Sequence, residues 1–360
     1  MLRQIDLSVV VAVADGAATL ARSLQSIVES DLRETEVELI VVDDASDDGS
    51  PAIAARYADT VIRLTSRRSG RAYARNRGAE IARGRLVAFI DQDIAVKPDT
   101  LRLMIEALNK HPGLDAVAAT HDPHASAGNF MSEYWSVLLS VGESSHAGVS
   151  GGFGSGCGMV RRSSLASSGM YDEWRFGTGT LEGVELGQRL LRGGHDVLLT
   201  ADLRVAQLRR WTVTAALRET FTRSALLARS LGYQQTRASS PADIVFTLTR
   251  PALPLVGALS TVALLGAFMP GRDGVLITAV GLLLAVIANA RTVGEIARLR
   301  GAFFALRAIP LHLCFQAASV AGLCSGWLMR DAVGDPRPDA ATQAYAEVGV
   351  EMWPPVPRPR

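Results

Sequence analysis

The chain has 360 residues, of which 48% are hydrophobic and 20% are charged, and its formal net charge is +1. Because domains usually contain about 100–200 residues, this length predicts a soluble domain together with a further region. The nearly balanced charge argues against a nucleic-acid-binding protein, which would carry a clear excess of basic side chains.

The first part of the chain has the pattern of a parallel α/β domain. An apolar run at 7–13 predicts a strand, apolar side chains at helical spacing predict a helix at 17–30, and a second strand is predicted at 37–42. Such a βαβ unit makes the two strands parallel, with a right-handed crossover. Further elements are predicted at 51–57 (helix), 61–64 (strand), 70–83 (helix) and 86–90 (strand).

Carboxylates follow two of these strands. Asp43 and Asp44 follow the second strand, and Asp91 and Asp93 follow the strand at 86–90. Because side chains alternate along an extended backbone, Asp91 and Asp93 are expected on one side. Two carboxylates at the carboxyl end of a parallel strand can hold a divalent cation that neutralises nucleotide phosphates. The alternative is that they cap the next helix.

The order and spacing of these motifs resemble the nucleotide-sugar half of family 2 glycosyltransferases. The resemblance extends over roughly residues 7–235, and it is carried by VVDDASDDGS at 41–50, ARNRGAEIARGRLVAFIDQD at 74–93, GGFGSGCGMVRRSSLASSGMYDE at 151–173 and LEGVELGQRLLRGGHDVLL at 181–199. It implies the GT-A fold, an α/β, Rossmann-like domain with a mainly parallel sheet that binds a nucleotide-sugar.

The family's site residues carry over to six positions of this chain. They are Asp43, Asp44, Arg75, Asn76, Asp91 and Asp93. The resemblance implies that Asp44, with Asp43 beside it, contacts the nucleoside base. It implies that Asp91 and Asp93 bind the nucleotide and its Mg²⁺ or Mn²⁺. For Arg75, a solvated helix face is an equal alternative to a phosphate-binding role, because a charge on a helix is normally exposed.

The chain departs from the family at the catalytic base. The family uses the Asp of a Glu-Asp pair that opens a helix, whereas this chain reads Glu182-Gly183. An inverting transfer needs a base for the acceptor hydroxyl, so Glu182, or Glu185 one turn later, is the candidate catalytic residue. The alternative is that both carboxylates only stabilise the amino end of their helix.

A second motif, QLRRW at 207–211, resembles the Gln-x-x-Arg-Trp of processive polysaccharide synthases. The resemblance implies that Gln207 and Arg210 lie at the nucleotide-sugar and that Trp211 supports the acceptor sugar. Non-processive relatives carry similar sequences, so polymer synthesis does not follow. Trp211 is alternatively an interfacial anchor of the helix at 212–231.

The histidines are not predicted to form a metal site. His121 and His124 flank a loop, His195 lies in a turn, and no pair of histidines has helical ligand spacing with a third partner. We expect these side chains to be structural or solvated.

The second half of the chain has the pattern of a membrane anchor. The segments 251–269, 274–290 and 308–329 contain no charged side chain and predict three transmembrane helices, with a buried soluble helix as the alternative for each. Four arginines lie at 291–307 against a single Glu295, which predicts that this connector is cytoplasmic. The catalytic domain is then cytoplasmic too, in a multi-pass protein of the cell membrane.

These observations divide the chain into four predicted regions. They are a GT-A domain (1–210), an amphipathic helix on the inner leaflet (211–240), three transmembrane helices (241–330) and a disordered tail (331–360). The expected function is an inverting transfer from a nucleotide-diphospho-sugar to a lipid-linked or glycan acceptor at the membrane, with no nucleic-acid partner. Two alternatives are a catalytically weak or inactive binding subunit, which Gly183 favours, and a processive polysaccharide synthase.

Overall fold

The fold was analysed in a computed structural model. It describes residues 5–32, 35–64, 70–145, 147–149, 153, 156–173, 181–234, 266–333 and 350–353. Two compact units are present, one made of Met1–Gly128, Glu143–Arg210 and Pro336–Arg360, and the other made of Asn129–Gly142 and Trp211–Asp335.

Strands and helices alternate through most of the first unit, as the sequence predicts. Its strands are β1 (Leu7–Val13), β2 (Val37–Asp44), β3 (Thr60–Leu64), β4 (Leu86–Ile90), β5 (Ile94–Ala95), β6 (Leu114–His121), β7 (Gly148–Val149), β8 (Cys157–Arg161), β9 (Asp196–Gln207) and β10 (Val350–Trp353). Its helices are α1 (Ala17–Val28), α2 (Ser50–Tyr57), α3 (Gly70–Ile81), α4 (Thr100–Lys110), α6 (Arg162–Ser167) and α7 (Glu182–Arg192). Between them, α5 (Phe130–Ser144) lies in the second unit except for its last two residues.

The strands form one mixed sheet in the order β10-β3-β2-β1-β4-β8-β6-β9-β5, with β7 paired to β9. The strands β3, β2, β1 and β4 are parallel, and β6 is parallel to β9. Between β4 and β6, β8 is antiparallel to both. The prediction of an α/β domain with a mainly parallel sheet is confirmed, and the carboxyl ends of β1, β2, β4 and β6 meet at one edge.

Helices cover the sheet closely because their contact faces are apolar or small. Leu20 and Leu24 of α1 and Met104 of α4 are fully buried in the core with the inner side chains of β1. On α3, a Cβ added to Gly78 would lie 2.4 Å from Cγ1 of Val10, so only glycine allows α3 to approach β1 this closely.

The second unit is helical in its described part. Besides most of α5, it contains α8 (Val213–Gln234), α9 (Gly271–Ala288), α10 (Ala290–Arg300) and α11 (Ala302–Val333). Along α11, Gly322 and Gly326 face α8 so closely that a Cβ would come within 2.4 Å of the Phe221 carbonyl oxygen and 2.1 Å of that of Ala225. The helix predicted to lie on the inner leaflet therefore packs along α11 through a small-residue face.

Two described helices, α9 and Ala302–Met329 of α11, are long and apolar enough to cross a membrane by length and composition. The first predicted span, 251–269, falls almost entirely outside the described residues. The third predicted span begins earlier than predicted. Within it, His312 and Gln316 are buried, and His312 Nδ1 lies 2.6 Å from the Tyr134 hydroxyl of α5.

In the predicted tail, the described residues 350–353 form β10, antiparallel to β3, rather than a disordered segment.

Candidate active site

The sheet edge at the ends of β1 and β2 is built from two interlocked loops. The Ser46 hydroxyl accepts a hydrogen bond from the Asp15 backbone N–H (3.0 Å), and the Ser50 hydroxyl accepts one from the Gly16 N–H (2.9 Å). In return, Asp15 Oδ1 accepts the Asp47 N–H at 3.0 Å. Asp15 and Ala45 have left-handed backbone conformations (φ 47° and 52°), a conformation that costs about 1–2 kcal/mol per residue. Strain of this kind is typical of ligand-binding loops.

The two aspartates predicted for the nucleoside base end β2 at this edge. Asp43 is fully buried, and its Oδ2 lies 3.5 Å from Arg63 Nε while its Oδ1 accepts the Ser46 N–H at 3.4 Å. Burial raises the pKa of Asp43 against the opposing effects of Ser46 and Arg63. Asp44 is also buried, at 7% exposure.

A buried ion cluster lies beside the end of β4. The Arg75 guanidinium, on α3, donates through Nη1 to Glu182 Oε1 at 2.8 Å and through Nη2 to Asp91 Oδ1. Arg71, one turn earlier, places Nη1 3.4 Å from Asp91 Oδ2 and 3.7 Å from Glu182 Oε1. Arg75 is 6% exposed, so its alternative assignment to a solvated helix face is wrong.

The same cluster fixes the segment that follows β8. The Arg75 guanidinium carbon lies 5.2 Å from the centroid of the Tyr171 ring. The Asn76 side chain accepts the Tyr171 N–H (3.0 Å) and donates to the Tyr171 carbonyl (3.0 Å) and to Glu173 Oε1 (2.7 Å). These contacts engage the Asn76 amide with protein groups, so Asn76 positions this turn instead of facing a ligand.

The two aspartates after β4 have different electrostatic surroundings. Burial opposes ionisation of Asp91, but Arg75 and Arg71 outweigh it and lower its pKa. Burial and the neighbouring Asp91 charge raise the pKa of Asp93 against the weaker effects of Arg71 and Arg209. A carboxylate that is destabilised by a neighbouring negative charge suits an added cation, and Asp93 therefore fits the predicted Mg²⁺ or Mn²⁺.

The described residues contain no group of three or more His, Cys, Asp or Glu side chains placed to hold a metal ion. This agrees with a cation such as Mg²⁺ that takes one or two protein carboxylates and completes its shell with phosphate oxygens and water. The assignment of the metal to Asp91 and Asp93 stays a prediction.

The QLRRW segment meets the site through its backbone. The Leu208 N–H donates to the Asp93 carbonyl at 2.7 Å, and Gln207 is buried with its Oε1 3.3 Å from the Arg209 N–H. Arg210 is exposed. Trp211 is 4% exposed in the second unit, where its ring stacks on that of Trp135 with centroids 4.6 Å apart.

The two candidate catalytic bases, Glu182 and Glu185, both contact arginine side chains. Glu182 opens α7 and is 2% exposed, and its Oε1 contacts Arg75, as described. Its buried Oε2 has no hydrogen bond from any residue that the structure describes. Glu185 forms a bidentate pair with Arg189 at 2.9 and 2.6 Å. Both carboxylates are thus engaged by guanidinium groups, and the role of either as the base stays a prediction.

Two arginines of the site were not predicted. Arg71 lies one turn before Arg75 on the same face of α3, and this spacing was the available signal. Arg209 precedes Arg210 and is the arginine that acts electrostatically on Asp93, but two adjacent arginines in a loop carry no signal of which one faces the site.

Known sequences and structures resemble this chain. Residues 8–168 match the sequence model of Glycosyl transferase family 2. The succinoglycan biosynthesis protein ExoO of Rhizobium meliloti (strain 1021) is 42% identical over 103 residues, which are 28% of this chain and 29% of that protein. Glucosyl-dolichyl phosphate glucuronosyltransferase of Haloferax volcanii is 30% identical over 124 residues, 32% of this chain and 40% of that protein. This chain thus spans less than half of each of these two relatives.

A solved structure resembles most of the chain. The mannosyltransferase PcManGT from Pyrobaculum calidifontis, in complex with GDP-Man and Mn²⁺, has a TM-score of 0.59 at 20% identity, over 90% of this chain and 88% of that chain. At this identity the likeness concerns the fold. The sequence match places residues 8–168 in Glycosyl transferase family 2, and the structural likeness agrees with the GT-A fold.

Proposed function

We propose that this protein is a membrane-associated, inverting hexosyltransferase that moves a sugar from a nucleotide-diphospho-sugar to a lipid-linked or glycan acceptor, with Mg²⁺ or Mn²⁺. The buried cluster of Arg75, Asp91 and Glu182 at the carboxyl edge of the sheet carries this proposal. It holds Arg71, whose side chain is 41% exposed, beside Asp91 and within electrostatic range of Asp93. A diphosphate would need both a cation and a basic side chain there.

Each group of residues at the carboxyl edge of the sheet then has a separate role. The interlocked loops after β1 and β2 hold the nucleoside, with Asp44 at the base. Arg71 and Arg209 bind the diphosphate. Asp93 would hold the cation, which would supply positive charge for the leaving nucleotide. Glu182 orients Arg75 and Arg71 through the contacts of its Oε1 atom.

The alternative of a binding subunit without turnover rests on Gly183, where the family has its catalytic Asp. A processive synthase is less well supported, because Trp211 is covered by Trp135 instead of presenting its ring to a sugar.

A donor screen separates these functions. Purified protein in detergent, with an extract of membrane lipids as acceptor, should release free nucleotide from one member of a nucleotide-sugar panel when Mn²⁺ is present and not when it is chelated. Tight nucleotide binding without release would favour the binding subunit, and Gly183→Asp should then gain turnover. A protein that neither binds nor cleaves any nucleotide-sugar would contradict the transferase.

The membrane assignment is supported by the apolar surface of the second unit. Large exposed hydrophobic side chains are concentrated on α9 and on the two end regions of α11. They include Val275, Leu276, Val280, Leu283, Leu284, Ile287, Phe303, Leu306, Trp327 and Leu328. A surface of this kind is unfavourable in water and suits lipid. At 1.5 Å per residue, the 18 residues of α9 span roughly 27 Å, close to the hydrocarbon thickness of about 30 Å.

The orientation can be tested by cysteine labelling. We expect an impermeant thiol reagent outside intact cells to modify an Asp273→Cys protein and not an Ala302→Cys protein, because the arginine-rich α10 should remain cytoplasmic. Both positions are exposed, whereas the neighbouring Gly271 and Gly301 have φ of 86° and 88° and would be strained by a side chain. Cys314 and Cys324 are replaced by serine beforehand, since Cys324 is exposed. The reverse labelling pattern would contradict the cytoplasmic catalytic domain.

A further inference from the structure

A histidine and a glutamate form a buried pair at the end of β6. His121 is the last residue of this strand and is 6% exposed. Glu143, in the last turn of α5, accepts the His121 backbone N–H at 2.6 Å with Oε2 and contacts the His121 ring Nδ1 at 2.8 Å with Oε1. From the sequence, His121 was expected to be structural or solvated.

The pair lies at the same sheet edge as the two aspartates of β4. Gly158 of β8 pairs with Phe89 on one side and with Ala118 on the other, so β4 and β6 are in register across one strand. His121, three residues beyond Ala118, is level with the Asp91–Asp93 turn at a distance of about two strand spacings, or roughly 10 Å. The charges of Asp93 and Asp91 both act on the imidazole.

The contact with Glu143 selects one tautomer of the ring. A carboxylate only accepts hydrogen bonds, so Nδ1 carries the proton and Nε2 keeps its lone pair. Among the residues that the structure describes, none makes a hydrogen bond to Nε2. A histidine held through Nδ1 by a carboxylate, with the lone pair of Nε2 left to accept a proton, has the arrangement of a general base.

The other carboxylates near the edge are less suited to this task. Glu182 is bound by Arg75, Glu185 is bound by Arg189, and Asp91 is bound by Arg75 and lies near Arg71. The carboxylates of all three residues are thus already engaged by arginine side chains.

We propose that His121, oriented by Glu143, is the base that deprotonates the acceptor, in place of the aspartate that Gly183 replaces. The acceptor oxygen bonds to the anomeric carbon of the donor, and the bond from that carbon to the diphosphate breaks, with its electron pair leaving on the nucleotide. The hydroxyl proton moves to His121 Nε2. This inference rests on the proposed transferase function and adds the residue that takes the proton.

The surroundings of His121 determine how the rate of transfer should depend on pH. Burial opposes protonation of the ring, but Glu143 on α5, together with Asp93 and Asp91 after β4, outweighs it and raises the pKa of His121 above its ordinary value. Because the neutral ring is the active form, the rate should rise with pH through this pKa.

The test compares His121→Asn with His124→Ala in transfer assays and in calorimetry with the donor nucleotide. The amide nitrogen of asparagine can replace Nδ1 towards Glu143, but no atom replaces Nε2. We expect His121→Asn to lose about 10²–10⁴ in kcat, with nucleotide affinity within twofold of the native value. The control residue His124 is exposed and contacts only Asp122 among the described side chains, so its replacement should change neither quantity.

Two further measurements distinguish catalysis from structural support. Imidazole added to a His121→Gly protein should restore part of the turnover, and Glu143→Gln should move the acidic limb of the rate profile to lower pH. Native-like turnover in His121→Asn, or an unchanged acidic limb in Glu143→Gln, would overturn the assignment of His121 as the base. Neither result would contradict the transferase function. A native protein without turnover on any donor would overturn the transferase function and this inference with it.

Discussion

Replacing Arg75 by methionine should lower the free energy of unfolding by about 3–5 kcal/mol, because it leaves two carboxylates in a buried site without their common partner. Arg75 is 6% exposed and contacts both Asp91 and Glu182. Methionine has a similar length, so the loss of charge is the main change. Thermal or urea unfolding measures the effect.

A matched surface variant and a double variant make this result specific. Arg102 pairs with Glu106 on the exposed face of α4, so Arg102→Met should leave the unfolding transition unchanged. Adding Glu182→Gln to Arg75→Met should recover part of the lost stability, since it removes one of the two carboxylate charges that then share only Arg71. Equal stability of the native and Arg75→Met proteins would mean that the cluster is not formed in solution.

Replacing Asp93 by asparagine should reduce the affinity for the donor nucleotide in Mn²⁺ by more than about 100-fold. The change keeps the shape of the side chain and removes the charge that fits a cation. Loss of a group that only supports a metal ligand already costs about 10–100-fold, and a direct ligand should cost more. Isothermal calorimetry with a nucleoside diphosphate, in Mn²⁺ and in a chelator, measures the difference.

The control for this variant is Asp202→Asn. Asp202 is an exposed carboxylate of β9, so its loss changes net charge by the same amount without changing the site. Nucleotide affinity that is insensitive to Asp93→Asn, or that is the same with and without Mn²⁺, would remove the metal from the proposed function.

Regular elements were predictable from the sequence because their patterns are local. The strands at 7–13 and 86–90 have the predicted bounds, since both are mainly apolar runs, the second of them lying directly between Arg85 and Asp91. Strand alternation and the parallel order placed Asp43 and Asp91 at one edge. Patterns of this kind depend on residues that are close in the chain.

The contacts that define the site were not predictable because their partners are distant in the chain. Arg75 and Glu182 are separated by 107 residues, and nothing in either segment indicates the other. The Tyr134 contact with His312 spans 178 residues and places a polar cluster inside a segment that looked like an uninterrupted membrane helix. The hydropathy of such a segment reports its own composition and does not show which residues pack against it.

One contact at the carboxyl edge of the sheet links two positions that are 78 residues apart. The Gln92 side chain accepts the Ala14 N–H at 2.8 Å and donates to the Ala14 carbonyl at 3.3 Å, as a neighbouring strand would. A Cβ added to Gly16 would lie 2.6 Å from Gln92 Oε1. The positions of Gly16 and Gln92 should therefore covary: relatives with a side chain at the position of Gly16 should have a smaller residue at that of Gln92 and a different way of holding the loop after β1.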